Sequence, residues 1–180
     1  MLRRILFFGA IAGVIAGAPM LVMTAISGGK TLYEGGVYLG YATMLVALST
    51  VFVAIKRRRD VEGGGVIRFW PAVGLGLGIS LVASLFYAAA WELTQAMSQV
   101  DFSTVYADNL LADLKAKGAP PEKIASTAAE MARWAELYKN PLIRIPMTMS
   151  EILPVGVLVT FVSAALLRNS RFLPARQAAA

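Results

Sequence analysis

The sequence predicts an all-α, polytopic membrane protein with four transmembrane helices, and three observations support this fold class. Hydrophobic residues make up 57% of the 180 positions, which is more than a water-facing surface accommodates. Four long apolar runs are nearly free of charge, and basic segments flank them. Because a helix of about 20 residues crosses a hydrocarbon core of about 30 Å, each run is long enough to span.

The predicted spans, in chain order, are residues 5–26, 37–55, 69–91 and 148–167. They should be helices, since a backbone in lipid must satisfy its own hydrogen bonds. Arg3 and Arg4 precede the first run, as basic residues precede the core of a secretory signal. That core has about 7 to 15 apolar residues, fewer than this run has, so we expect a retained first span.

The basic residues indicate how the spans are oriented. One group lies before span one, between spans two and three, or after span four: Arg3, Arg4, Lys56, Arg57, Arg58, Arg59, Arg68, Arg168, Arg171 and Arg176. The loops on the other side carry basic and acidic residues in equal number, among them Lys30 and Glu34. The positive-inside rule therefore predicts that both termini are cytoplasmic (N-in/C-in).

Three regions are expected along the chain. Residues 1–93 contain the first three spans, 94–146 an extracytoplasmic helical hairpin, and 147–180 the fourth span and a basic cytoplasmic tail. Apolar residues recur at helical spacing on both sides of a break at Gly118, and Pro121 suits the first turn of the second arm. The arms either rest on the lipid interface or cap the bundle, and Trp134 and Tyr138 favour interfacial anchoring.

The residues that are absent exclude most reaction chemistry. The chain has neither cysteine nor histidine, so thiolate and imidazole groups are unavailable as nucleophiles, bases or metal ligands. The glycine strings at 63–65 and 74–78 lack the strand and helix context of nucleotide-binding motifs. The basic run is short and lacks interleaved aromatics, which argues against nucleic acid. We therefore expect no catalytic residue, no cofactor, no metal and no nucleic-acid partner.

Small residues mark faces for helix packing. Gly9, Gly13 and Gly17 recur every four residues in span one, and Gly74 and Gly78 do so in span three. Such spacing permits close backbone approach, either within the bundle or in a homo-oligomer. The alternative is that glycine is simply frequent in membrane helices.

Two carboxylates lie near the ends of the predicted spans. Glu92 ends span three and Glu151 begins span four, so both should lie at similar depth, where they could share Arg144. Ionisable groups there are candidates for a proton or ion site. The structural alternative is that Thr148 and Glu151 form a capping box and that Glu92 pairs with a basic neighbour.

The basic residues after span two can be interpreted in two ways. Lys56, Arg57, Arg58, Arg59 and Arg68 are sufficient as a topological anchor. They are also placed to contact anionic lipid headgroups, where each is worth about 1 kcal/mol.

Two stretches of the chain resemble a known family. One is Ile55-Lys56-Arg57-Arg58-Arg59-Asp60, followed by a glycine turn, Phe69 and Ala72; the other contains Asn140-Pro141, Arg144, Thr148, Glu151, Pro154 and Gly156. They resemble an uncharacterised bacterial inner-membrane family classified as a domain of unknown function. The resemblance covers nearly the whole chain and implies a bacterial plasma membrane and four spans. Arg58 stands where that family usually has an aromatic residue.

These observations lead to two functional hypotheses. The first is a non-catalytic accessory or scaffold subunit of the inner membrane that binds a partner protein, itself or anionic lipid. The alternative is a small proton-coupled transporter or channel that uses Glu92 and Glu151.

Overall fold

The computed structural model describes residues 1–29 and 36–175, and within these ranges the chain forms six helices and no strand. The helices are α1 (Leu2–Ile26), α2 (Gly36–Val61), α3 (Phe69–Met97), α4 (Phe102–Ala116), α5 (Pro121–Tyr138) and α6 (Pro141–Arg168). In α1, α2, α3 and α6 there is a stretch long and apolar enough to cross a membrane. The predicted all-α membrane fold is therefore confirmed. Lys30, Glu34 and Arg176 lie outside the described residues.

The four long helices alternate in direction. Along α1 and α3 the contact positions rise together, because Gly9 faces Val82 and Gly17 faces Ala90. Along α3 and α6 they run oppositely, because Gly76 meets Thr160 whereas Tyr87 meets Glu151. Leu48 reaches Gly156 and Val51 reaches Gly76 beside Thr160, so α2 runs parallel to α6. Both α1 and α3 therefore cross in one direction, and α2 and α6 return.

The apolar core surrounds α3, which packs against α1, α2 and α6. The largest fully buried apolar side chains come from three helices and include Leu48 and Val51 from α2, Leu75 and Ile79 from α3, and Ile152 from α6. Helix α2 also packs directly against α1 and α6, so the four helices form one close-packed core.

The glycine strip of α1 lies directly against α3. A Cβ added to Gly13 would lie 2.2 Å from Phe86 Cβ and 2.9 Å from the Ala83 carbonyl oxygen. At Gly9 and Gly17 the nearest α3 side-chain carbon would lie at 2.5 Å. No side chain fits at these distances, so the two backbones approach as closely as glycine permits.

The span-three glycines differ from one another in their surroundings. Gly78 receives the Ile5 side chain, whereas Gly74 is exposed and an added Cβ there would meet only Met1 Cε, at 3.8 Å. Close packing on the other side of α3 depends instead on Gly76, where an added Cβ would lie 2.6 Å from Thr160 Cγ2. Gly156 of α6 makes the matching approach to Ser80, at 2.7 Å.

The start of α6 differs from the prediction. The helix begins at Pro141, and Asn140 caps it by accepting a 3.0 Å hydrogen bond from the Leu142 amide through Oδ1. Thr148 lies inside the helix and donates its hydroxyl to the Arg144 carbonyl at 3.1 Å. The predicted capping box at Thr148 and Glu151 is therefore wrong. Asn140-Pro141 is the stronger start signal, because proline suits the first helical position.

The region between α3 and α6 contains α4 and α5, which pack against each other. Asp101 caps α4 and Gly118, at φ +69°, follows it; Pro121 occupies the first turn of α5, as predicted. The side of the membrane on which α4 and α5 lie stays a prediction.

Helix α2 continues to Val61, so the basic run at residues 56–59 is helical and is not part of the loop that follows α2.

Candidate functional sites at the two ends of the bundle

Three separate parts of the chain meet at one end of the bundle, which we call the basic end: residues 1–4, 56–68 and 168–175. Arg4 forms an ion pair with Glu62. Arg58 donates to the Pro71 carbonyl at 3.1 Å and contacts Met1 Sδ at 3.8 Å. The segments that the charge pattern assigned to one side are thus in contact with each other.

Arg59 has no exposed surface. Its Nη1 donates to the Phe172 carbonyl at 2.8 Å, its Nη2 donates to the Leu173 carbonyl, and its Nε donates to Asp60 Oδ1 at 2.7 Å. Lys56 also pairs with Asp60. In contrast to the prediction above, Arg59 therefore holds the chain after α6 and does not face lipid headgroups, because it is fully buried and each of its three side-chain nitrogens donates to a group of the protein.

The segment held by Arg59 is a compact turn. The Phe172 ring packs edge-on against Phe52 with centroids 6.5 Å apart, and Leu173 adopts a positive φ of 47°. The glycine turn after α2 is equally tight: a Cβ at Gly63 would lie 2.0 Å from the Val66 carbonyl oxygen. The run at 63–65 therefore serves a close turn around the end of α2.

Five arginines of the basic end are exposed, and their side chains have no hydrogen-bond or ion-pair partner among the described residues: Arg3, Arg57, Arg68, Arg168 and Arg171. Lys56 and Arg58 are partly buried and paired. The described part of this end holds nine basic side chains and two acidic ones, Asp60 and Glu62. It is therefore a strongly cationic surface.

The opposite end of the bundle carries an aromatic cluster, and we call it the aromatic end. Its members come from α3, α4 and α5: Trp91, Phe102, Tyr106, Trp134 and Tyr138. Trp134 stacks on Tyr138 with centroids 4.6 Å apart, and Trp91 Nε1 donates to the Tyr138 hydroxyl at 2.6 Å. Burial raises the pKa of Tyr138. The cluster fastens the α4–α5 pair to α3.

Glu92 and Arg144 form a two-point ion pair beside this cluster. Arg144 Nε donates to Glu92 Oε1 at 2.6 Å, and Nη2 donates to Oε2. The remaining terminal nitrogen donates to the Tyr138 carbonyl at 3.2 Å, and the guanidinium carbon lies 5.7 Å from the centre of the Tyr138 ring. Arg144 thus joins α3, α5 and α6.

Glu151 is not part of the Glu92–Arg144 ion pair. It accepts a 3.1 Å hydrogen bond from the Tyr87 hydroxyl. Seven residues separate it from Arg144 along α6, which corresponds to about 10 Å at ~1.5 Å per residue. Glu92 and Glu151 therefore lie at different levels and do not share Arg144. In residues 1–29 and 36–175, no three acidic side chains cluster closely enough to hold a metal ion.

A comparison of the sequence with models of known protein families identifies one matching family. The family model described as "protein of unknown function (DUF4199)" matches residues 7–169. The chain belongs to this family. The match begins in the first turns of α1 and ends at the cap of α6, so it covers nearly all of the four long helices together with α4 and α5. No curated protein and no solved structure shows significant similarity to the chain.

Proposed function

We propose that this DUF4199 protein is a non-catalytic scaffold of the bacterial plasma membrane whose basic end lies in the cytoplasm and binds anionic lipid headgroups. The observation that supports this most strongly is that the arginines of the basic end differ in burial and in their bonding partners. Arg59 is buried and bonded within the protein, whereas Arg57 and Arg68 are exposed and unpaired among the described residues. Unpaired arginines at the level of phosphate headgroups are positioned to bind them.

The cytoplasmic location of the basic end rests on the positive-inside rule. Its nine basic side chains, all but the buried Arg59 with exposed surface, come from three segments that fold together, so the rule applies to one continuous region. A rigid cationic surface needs less ordering than a flexible tail when it binds a lipid, because its chain is already held in place.

A scaffold is better supported than a proton-coupled transporter. The α3–α6 interface is closed by Gly76 against Thr160 and by Gly156 against Ser80, with no room for even one additional methyl group. A path from Glu151 to the basic end along this interface would have to pass both contacts. Glu92 is also held in an ion pair at two points, which disfavours a carboxylate that alternates between partners.

The experiment compares phosphatidylglycerol binding by the full chain and by the Arg57→Gln/Arg68→Gln variant, using native mass spectrometry from mild detergent. Two basic residues near anionic headgroups contribute about 2 kcal/mol together, so affinity should fall roughly thirtyfold. Phosphatidylcholine binding should change little, because that lipid has no net charge.

A matched control removes two positive charges from the other part of the molecule. Lys123 and Arg133 are exposed on α5, and Lys123→Gln/Arg133→Gln should leave phosphatidylglycerol binding unchanged. Equal losses in both double variants would show that net charge alone governs binding, and the proposal would then be wrong.

A further inference from the structure

A polar cleft opens beside the aromatic cluster, with a volume of about 490 Å³. It lies where the end of α3, the start of α4, the end of α5 and the start of α6 converge. Its polar lining includes Glu92, Gln95, Asp101, Ser103, Lys139 and Arg144. Cavities of about 300 to 1,000 Å³ hold small ligands, so the cleft has room for one.

The charges that line the cleft balance one another. Glu92 and Asp101 are acidic, and Lys139 and Arg144 are basic. Hydrogen bonds from Ser103 and the Thr104 amide, together with nearby Lys139, lower the pKa of Asp101. A hydrogen bond to Glu136 raises the pKa of Lys139. Asp101 and Lys139 are therefore both charged at neutral pH, and the cleft offers both signs to a ligand.

Two acceptor atoms beside the cleft are unused by the described residues, one of them buried behind its wall. Gln95 Oε1 is buried and accepts no hydrogen bond from any described residue. The described bonds to Asp101 all end on Oδ1, so its Oδ2 is left for a further donor. A buried acceptor without a donor is costly, and an ammonium group supplies three donors.

The depth of the cleft indicates where such a ligand resides. From Phe69, about 20 helical residues cross the hydrocarbon core, which places Glu92 and Gln95 roughly 5 to 9 Å beyond its edge. That is the headgroup layer, where tryptophan and tyrosine rings are also favoured.

We propose that this cleft binds a zwitterion that carries a primary ammonium and a phosphate, the chemistry of phosphoethanolamine. The ammonium donates to Asp101 Oδ2 and, once the Gln95 side chain rotates toward the cleft, to Gln95 Oε1. The phosphate accepts from Lys139 and from the free N–H groups of Arg144. The ligand is either a phosphatidylethanolamine headgroup or free phosphoethanolamine. This site is at the opposite end of the bundle from the proposed anionic-lipid surface and does not depend on it.

The test measures the preference of the full chain for phosphatidylethanolamine over phosphatidylcholine by native mass spectrometry. Both lipids carry the same phosphate, but the choline group has no N–H donor, so contacts at the basic end cancel. A preference of about tenfold for phosphatidylethanolamine is expected, the value of one lost hydrogen bond to a charged group. Displacement of bound lipid by added phosphoethanolamine would identify the free form as a ligand; no displacement would identify the lipid headgroup.

Three variants assign the preference to the cleft. Gln95→Leu should weaken it, and Gln95→Glu, which keeps an acceptor, should preserve or increase it. Asp101→Asn still caps α4 but removes a charge, so it should reduce the preference and keeps the test valid if Gln95→Leu fails to fold. Equal binding of the two lipids by the unmodified chain, or a preference that survives in both Gln95→Leu and Asp101→Asn, would overturn the proposal.

Discussion

Each end of the bundle is organised by one arginine, but the two arginines bind different kinds of group. At the basic end, Arg59 is fully buried and donates mainly to backbone carbonyls of the chain that follows α6. At the aromatic end, the Arg144 side chain is 16% exposed and pairs with a carboxylate that is 28% exposed. A buried cation needs all its partners, whereas a partly hydrated ion pair is screened by water. An arginine is therefore required for the fold at the basic end, whereas at the aromatic end it contributes only modestly to stability.

The largest expected effect tests the basic end. Arg59→Leu removes the donors for the Phe172 and Leu173 carbonyls and leaves Asp60 with Lys56 as its one remaining partner among the described residues. Each hydrogen bond to a charged group contributes about 1.5 to 3 kcal/mol, so the loss of three should lower the free energy of unfolding by about 3 kcal/mol or more. Reversible unfolding in mixed micelles measures this value.

Arg59→Lys sharpens the same test. It keeps the charge but not the planar fork, so it should recover little of the lost stability. Full stability in either variant would mean that the buried fork contributes nothing to the fold.

The seam between α1 and α3 extends from one end to the other, and Gly13 lies in its middle. Gly13→Leu would force side-chain atoms against Phe86 and the Ala83 carbonyl, so α1 must move away from α3. Overpacking of this kind costs about 1 to 3 kcal/mol or more, and both ends should loosen together. Hydrogen exchange at the two ends measures the change.

The matched control for this substitution is Gly74→Leu, because Gly74 is exposed on α3. It should be neutral or slightly stabilising, since glycine is a poor helix former. Equal destabilisation by the two leucines would show that helical glycines in general, and not the α1–α3 seam, determine stability.

A smaller effect is expected for the ion pair at the aromatic end. A double-mutant cycle with Glu92→Gln and Arg144→Gln should give a coupling energy of about 1 kcal/mol, because both side chains are partly hydrated. The coupling is measured from unfolding free energies at low and high salt and should weaken as salt increases. A coupling energy as large as the loss in unfolding free energy caused by Arg59→Leu would show that the two arginines stabilise the fold equally, contrary to the comparison above.

The smallest effect concerns the cap of α4. Asp101 accepts hydrogen bonds from the Ser103 and Thr104 amides, and Asp101→Ala should cost about 1 kcal/mol at pH 7. The pKa of Asp101 is lower in the folded protein, so this stabilisation is present above the usual value of 3.8 and is lost as the pH falls through the folded pKa. Unfolding free energies of Asp101→Ala and the unmodified chain should converge in acid; a constant difference from pH 7 to pH 2 would exclude this cause.

The fold follows from the sequence because its signals are long and additive. Four uncharged runs determine four helices, and glycines at a spacing of four determine which face of α1 approaches α3. Local signals were less complete: Thr148 and Glu151 match a capping box, but Asn140-Pro141 begins the helix earlier.

The sites depend on contacts that no local pattern encodes. Arg59 is one of four consecutive basic residues, and nothing in their order distinguishes the buried one from exposed Arg57. Two of its three partners are carbonyls more than one hundred residues away, and every residue type has a carbonyl. Gln95 likewise can be recognised as a cleft residue only in the folded protein, where parts of four helices converge around it.

The most direct test of the account is a solid-state NMR measurement of arginine side-chain nitrogens near lipid phosphorus, with the full chain in bilayers containing phosphatidylglycerol. The guanidinium signals of Arg57 and Arg68, identified by their absence in Arg57→Gln/Arg68→Gln, should lose intensity through coupling to phosphorus. The Arg59 signal, assigned through Arg59→Lys, should show no such coupling, because its donors are directed to Phe172 and Leu173. Strong coupling of Arg59 to phosphorus, with Arg57 and Arg68 uncoupled, would contradict the account.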